Sequence, residues 1–272
     1  MSPDRDLKVV TVGDCCVDHY QDHGWFPGGN ALNVAVAWRR LGAEARYLGA
    51  VGDDEAGSWL KAEVAGIGLD TSLVETRSGA TGLTEISLDA RGEKMILAEH
   101  LGVSQVFSPD PANVELVAGA DWVHGSLSPR VEHLVRDFSA AGERVSYDFS
   151  VRPVTEGLDG LEVAFYSWEG VPGPETDALL ESALQGGAIT AVAMCGRHGS
   201  RALSKEGLTI VSGNEIEAID TCGAGDSFIA SFVIARLQGA SLEEAMNAGA
   251  RAGEEMCRNL GAWLDHQPEK VA

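Results

Sequence analysis

Apolar residues recur along this chain in two alternating rhythms. Short β-branched runs are followed by stretches with a period near 3.6, and that order predicts an α/β architecture. Lys8 to Val12 is a compact run ending at Gly13-Asp14 and reads as a buried strand. Pro27-Gly28-Gly29-Asn30 breaks the chain before Ala31 to Leu41, a stretch of Ala, Val and Leu at helical spacing with Asn30 as its N-cap. Ala45 to Ala50 reads as the next strand, and Asp53-Asp54-Glu55 opens a helix to about Ala65. Thr81 to Leu88 and Lys94 to Ala98 flank the turn residues Asp89 to Glu93 as a hairpin. Strands at Trp122 to His124, Arg144 to Asp148, Val163 to Phe165 and Ala188 to Met194 alternate with helices from about Pro129 to Ala141 and Pro174 to Gln185. Ala202 to Ser204 and Leu208 to Val211 form a second hairpin. A helix opens near Gly225 with Phe228, Ile229, Phe232, Val233 and Leu237 on one face. The final helix starts at Ser241, where Glu244 completes a capping box. The whole predicts a mainly parallel sheet covered by helices on both faces, with the hairpin near residues 81–98 as a small excursion.

Composition narrows the class. The chain has 272 residues and a formal net charge of −21, which argues against nucleic acid or anionic membranes as partners. Its 5 cysteines show no CxxC pairing and form no zinc set, which points to a reducing, cytoplasmic compartment. Met1 to Lys8 lacks the apolar core of a signal peptide, and no apolar run is long enough to cross a bilayer.

The chemistry concentrates in Asp220-Thr221-Cys222-Gly223-Ala224-Gly225-Asp226-Ser227-Phe228. A helix N-terminus offers unpaired N–H groups, and Gly223, Ala224 and Gly225 carry too little bulk to keep an anion off them. Asp226 would repel that anion, which is the placement a base needs when it takes a hydroxyl proton beside a phosphate under attack. The same residues also fit an ordinary helix start with an acidic first turn. Gly28-Gly29-Asn30-Ala31-Leu32-Asn33 is the second stretch. Paired glycines admit a ligand to the backbone, and Asn33 adds an amide to the carboxylates of Asp14 and Asp18, a donor and acceptor set that suits a sugar. A loop with a helix cap would carry the same residues. Asp148 and Arg152 follow a strand end and either approach a substrate or form a surface ion pair.

Asp220 to Asp226 resembles the C-terminal signature of the ribokinase-like PfkB carbohydrate kinases, and Gly28 to Asn33 with Val51 to Gly57 resembles their N-terminal one. The resemblance implies a ribokinase-like α/β domain over residues 1–272, with a small β lid from about 14–29 and 81–106. It implies Asp226 as catalytic base, with the amides of Gly223, Ala224 and Gly225 as anion hole, and Asp14, Asp18, Gly28, Gly29, Asn33 and Asp226 around the sugar. Ala191 to Gly199 is similar to the nucleotide-side strand and turn, which brings Cys195, Gly196, Gly199 and Gly225 to ATP, with Asn247 at the adenine. Cys195 stands where many members have threonine. The family's Asn-x-x-Glu motif for magnesium-bound water is absent, and either Glu169 or Glu175 is the substitute. The resemblance also implies a monovalent cation such as potassium beside Asp220, and a homodimer through the lids. Within the family, Thr11 to Asp18, Gly28 to Ala37, Tyr147 to Ser150, Asp220 to Ala230 and the terminal Gly261-Ala262-Trp263 resemble bacterial fructoselysine 6-kinases, which implies phosphorylation at O6 of fructoselysine or a related fructosamine. Ribose, fructose, a deoxy-sugar acid and a nucleoside are the alternative substrates, and a non-catalytic sugar or nucleotide sensor is the remote one.

Overall fold

β1 (Lys8–Val12) sits inside the larger sheet because its residues are apolar on both faces: Val9 joins one core cluster, Val10 and Val12 the other. The computed structural model describes residues 6–89, 91–115, 118–126, 133, 137–138, 142–264 and 266. In chain order the remaining strands are β2 (Cys16–Tyr20), β3 (Gly24–Gly28), β4 (Glu44–Gly52), β5 (Val74–Arg77), β6 (Gly82–Leu88), β7 (Lys94–His100), β8 (Trp122–Ser126), β9 (Val145–Asp148), β10 (Val163–Ser167), β11 (Thr190–Met194), β12 (Ser200–Ser204) and β13 (Gly207–Val211). The helices are α1 (Asn30–Arg40), α2 (Glu55–Gly66), α3 (Pro111–Glu115), α4 (Pro174–Gln185), α5 (Ala224–Leu237) and α6 (Leu242–Met256).

The larger sheet runs β13-β12-β11-β10-β9-β8-β1-β4-β5. It is parallel from β11 to β5, and β12 and β13 extend it antiparallel. α1, α2, α5 and α6 pack on one face around Trp38, Phe165, Phe232 and Trp263. α4 packs on the other face with Leu180 and Ala183, beside Phe107, Tyr147 and Phe149. The expected mainly parallel sheet with helices on both faces is therefore what the chain forms.

A second sheet of four strands, β3-β2-β6-β7, stands apart from the first. β2 pairs antiparallel with β3 and parallel with β6, and β6 with β7 forms the expected hairpin. Asp89 shapes its turn by accepting the amides of Arg91 at 2.7 Å and Glu93 at 2.9 Å. β7 lies at the sheet edge, with Met95, Ile96 and Leu97 each about half exposed.

Two sequence expectations change. The N-cap of α1 is Gly29, not Asn30; Gly29 has φ of 102°, and a Cβ there would run into the backbone of Asp14 and Cys15. The helix expected from about Pro129 to Ala141 lies almost entirely outside the described residues.

Candidate functional site

The turn from β3 into α1 brings the first three site residues together. Asp14 stands just past β1 and caps α1 from outside: its carboxylate accepts Asn30 N at 2.7 Å, Ala31 N at 3.3 Å and Ser126 Oγ at 2.7 Å. Asp18, in the middle of β2, lays its carboxylate over Gly28, whose missing side chain is the space it occupies. Two thiols donate to it, Cys16 Sγ at 3.3 Å and Cys222 Sγ at 3.6 Å. Burial raises the Asp18 carboxyl above its ordinary range, and Lys94 opposes that shift.

The opposite wall is the head of α5. Gly223 is its N-cap in the left-handed region at φ 73°, and a Cβ there would strike Ala262. The preceding Asp220 is wholly buried and ties the loop down, accepting Tyr20 Oη at 2.6 Å, Cys222 N at 2.9 Å and Gly261 N at 2.8 Å. Ala224 N turns back to Thr221 O at 3.3 Å, while the N–H groups of Gly223, Gly225 and Asp226 have no acceptor among the described residues. A Cβ at Gly225 would meet only Met194, at an ordinary 3.6 Å, so no packing within the protein demands that glycine. The bare, positively polarised helix start is a fitting seat for a phosphate.

Asp226 closes this loop. It accepts the amide of Asn33 at 2.8 Å, and Asn33 in turn accepts Trp263 Nε1 at 3.0 Å, which fixes which end of the amide faces the carboxylate. Burial pushes the Asp226 carboxyl up to about 7; Asn33 lowers it, Asp148 raises it, Lys94 lowers it and Asp14 raises it. Asp226 is thus a carboxylate with a proton affinity near neutrality, next to unfilled amides. That combination can accept a proton and hold an anion in one place.

Two further residues enter the site that sequence reasoning either left open or missed. Asp148, at the end of β9, is 3% exposed and accepts Asn30 Nδ2 at 3.1 Å. Lys94, the first residue of β7, was not singled out at all. The hairpin turn docks on the segment before α5, with Thr221 N donating to Gly92 O at 3.0 Å and Lys94 N to Thr221 Oγ1 at 3.1 Å. Lys94 is exposed as a residue, yet its ammonium feels the charges of the site. Cys222 raises its pKa, burial lowers it, and Asp18, Asp226 and Cys16 raise it. Burial keeps both thiols protonated at neutral pH, so the carboxylates carry the attraction there. The only sequence signal for Lys94 was a cation opening the otherwise apolar run Met95-Ile96-Leu97-Ala98.

Apart from Gly225, the residues expected on the nucleotide side lie on β11, the turn after it and α6. Cys195 and Gly199 close a tight turn after β11, Cys195 N donating to Gly199 O at 2.8 Å. The Cys195 thiol is buried against Ala193 O at 3.6 Å, with its pKa pushed up to about 11 by burial. Gly199, at φ 88°, passes so close to Val211 O that a side chain has no room; Gly196, at φ 53°, faces open space. Asn247 on α6 donates to its own helix at Glu243 O, 2.9 Å away. Glu169 and Glu175 are both exposed beyond the end of β10. Among the described residues no group of three or more His, Cys, Asp or Glu could hold a metal.

With this geometry in view, comparison with known proteins identifies the family. The model of the pfkB family of carbohydrate kinases matches residues 6–141 and 164–269. The chain belongs to that family. As a pfkB kinase it transfers a phosphoryl group from ATP to an alcohol group. It is 32% identical to a fructoselysine 6-kinase of Shigella flexneri over 94% of this chain and 99% of that one. It is also 32% identical to a fructosamine kinase of Bacillus subtilis, over 94% and 93% of the two chains. The fold matches Arabidopsis thaliana ribokinase with a TM-score of 0.79 at 21% identity, covering 95% of each chain.

Proposed function

We propose that this pfkB kinase phosphorylates O6 of fructoselysine or a related fructosamine. The observation that carries the reading is the similarity to two fructosamine kinases along 94% of the chain. The site is compatible with it: Asp14, Asp18, Asp148 and Asp226 are all buried carboxylates, an environment that favours a polyhydroxylated substrate carrying an ammonium group.

ATP, when bound, supplies the γ-phosphoryl group. Asp226, oriented by Asn33, takes the proton of the attacking hydroxyl as the new O–P bond forms. The free amides of Gly223 and Gly225 hold negative charge in place, so the protein's contribution is positioning and electrostatic stabilisation. The four-stranded sheet acts as a lid, and its docking through Gly92 and Thr221 is the closed form that excludes water from the transfer. Potassium beside Asp220 has an electrostatic reason, because the three donors that satisfy this buried carboxylate are neutral and leave its charge in place. The kinase assembles as a two-fold dimer through its lids.

A coupled ADP-release screen with fructoselysine, other fructosamines, fructose, ribose, a deoxy-sugar acid and nucleosides tests the substrate. The highest kcat/KM is expected for a fructosamine. A clear preference for any of the others overturns the reading.

A further inference from the structure

The first turn of α1 carries two asparagines three positions apart, and each donates its side-chain amide to a different buried carboxylate. Asn33 reaches Asp226 at 2.8 Å and Asn30 reaches Asp148 at 3.1 Å. Residues at this spacing share a helix face, so one face of α1 clamps both acids. Asp148 is not free to swing away. Its other oxygen accepts Ser150 N at 2.8 Å, and Ser150 is the one non-glycine with positive φ among the described residues, at 53°. An aspartate that only anchored a turn could do so in water. This one is 3% exposed, where an ionised carboxylate is costly.

We propose that Asp148 is a positioning residue for phosphoryl transfer: a second negative charge, fixed by Asn30 on the same helix face as Asp226, that strengthens Asp226 as a proton acceptor. Burial pushes Asp148 itself up to about 6 and Asp226 up to about 7, so both acids change charge near neutrality. The other ionisable groups around them act in both directions. Asp14, after β1, raises both acids. Lys94 from β7 lowers Asp226, and Arg152 lowers Asp148. Asp18 and Cys16 on β2, with Cys222 before α5, bear on the two acids through Lys94; Asp220 accepts from Tyr20 and Gly261. A base matched to the working pH transfers protons most effectively, which gives the second charge its use.

The inference rests on Asp226 as the base, and the experiment separates the two. The ligand-free protein is labelled with [13Cγ]aspartate and titrated by NMR, the Asp226 signal being assigned by its loss in Asp226→Asn. Asp148→Asn is made alone and in a Ser150→Gly background, where the turn needs no anchor. In both, the Asp226 midpoint is expected to fall by about half a pH unit or more, as removal of a nearby like charge requires. The acid limb of kcat/KM, with the sugar that the ADP-release screen selects, is expected to fall with it. An unchanged midpoint in the Ser150→Gly background overturns the proposal, since a purely structural Asp148 predicts that result. A midpoint that moves while the acid limb stays put overturns it through its premise, by removing Asp226 as the base.

Discussion

Burial holds Asp226 near a pKa of 7, and two opposite effects follow from that one shift. With the ionised form as the proposed base, kcat/KM is expected to fall about tenfold per pH unit below a midpoint near 7. For stability the sign is reversed. The unfolded chain releases this proton near 3.8, whereas the folded chain keeps it to about 7. Folding is therefore opposed progressively as pH rises through that window, and the penalty is complete above it. Asp226→Asn is expected to lower kcat by about 10²–10⁴, with ATP and sugar affinity near normal. The same variant is expected to be more stable than wild type at pH 8, by up to about 4 kcal/mol at 1.4 kcal/mol per unit, and indistinguishable near pH 3. Equal denaturation midpoints at pH 8 would contradict the buried charge. Asn33 is drawn into catalysis by the same geometry. Asn33→Ala frees both Asp226 and Trp263 Nε1, so it should lower kcat as well as sugar affinity. Asp18→Ala should weaken the sugar alone, by roughly 1.5–3 kcal/mol for a hydrogen bond to a charged group; isothermal titration with the sugar and with ATP distinguishes the two variants.

Among the elements, the lid hairpin has the greatest leverage for its size. Its turn pairs with Thr221, and this pairing carries Lys94 to a site otherwise lined by carboxylates. Lys94→Met removes a cation that lowers Asp226, so the acid limb of kcat/KM should move to higher pH, opposite to Asp148→Asn. Lys94→Arg should restore most of the position, and an unmoved limb in Lys94→Met would show that the ammonium does not act on the base. The hairpin was legible in sequence because two apolar runs flank Asp89 to Glu93. Its partners β2 and β3 were not, since Cys16 to Tyr20 and Gly24 to Gly28 mix Asp, His, Gly and Pro with the apolar residues and show no clean alternation. Only the family resemblance placed that segment in the lid. The same limit applies at single positions. The signatures located Asp226 and Asn33, whose contacts cross 193 residues, but pattern could not say that Asn30 clamps Asp148 rather than capping α1. Caps are local and can be read from neighbours, whereas clamps depend on the whole topology.

At the scale of the whole molecule, the proposed association rests on β7, the edge strand of the four-stranded sheet. Met95, Ile96 and Leu97 are 45%, 52% and 50% exposed on an edge strand, a surface that invites pairing. Light scattering at micromolar concentration is expected to give a dimer, and Ile96→Glu a monomer with impaired sugar turnover; a fully active wild-type monomer would remove the lid–lid assembly. The long reach of the site's hydrogen bonds bears on another matter. Tyr20 meets Asp220 across 200 residues, and Asn33 meets Trp263 across 230. A growing polypeptide emerging from a ribosome makes Asp14, Asp18 and Asn33 early and must wait for nearly everything else before Asp226 is oriented. Intermediate lengths of nascent chain contain the N-terminal signature without Asp226, the proposed base, or the amides that precede it. Competence to consume ATP thus arrives late, with residues around 263, and a stalled or prematurely released translation product should be inert rather than a leaky nucleotidase.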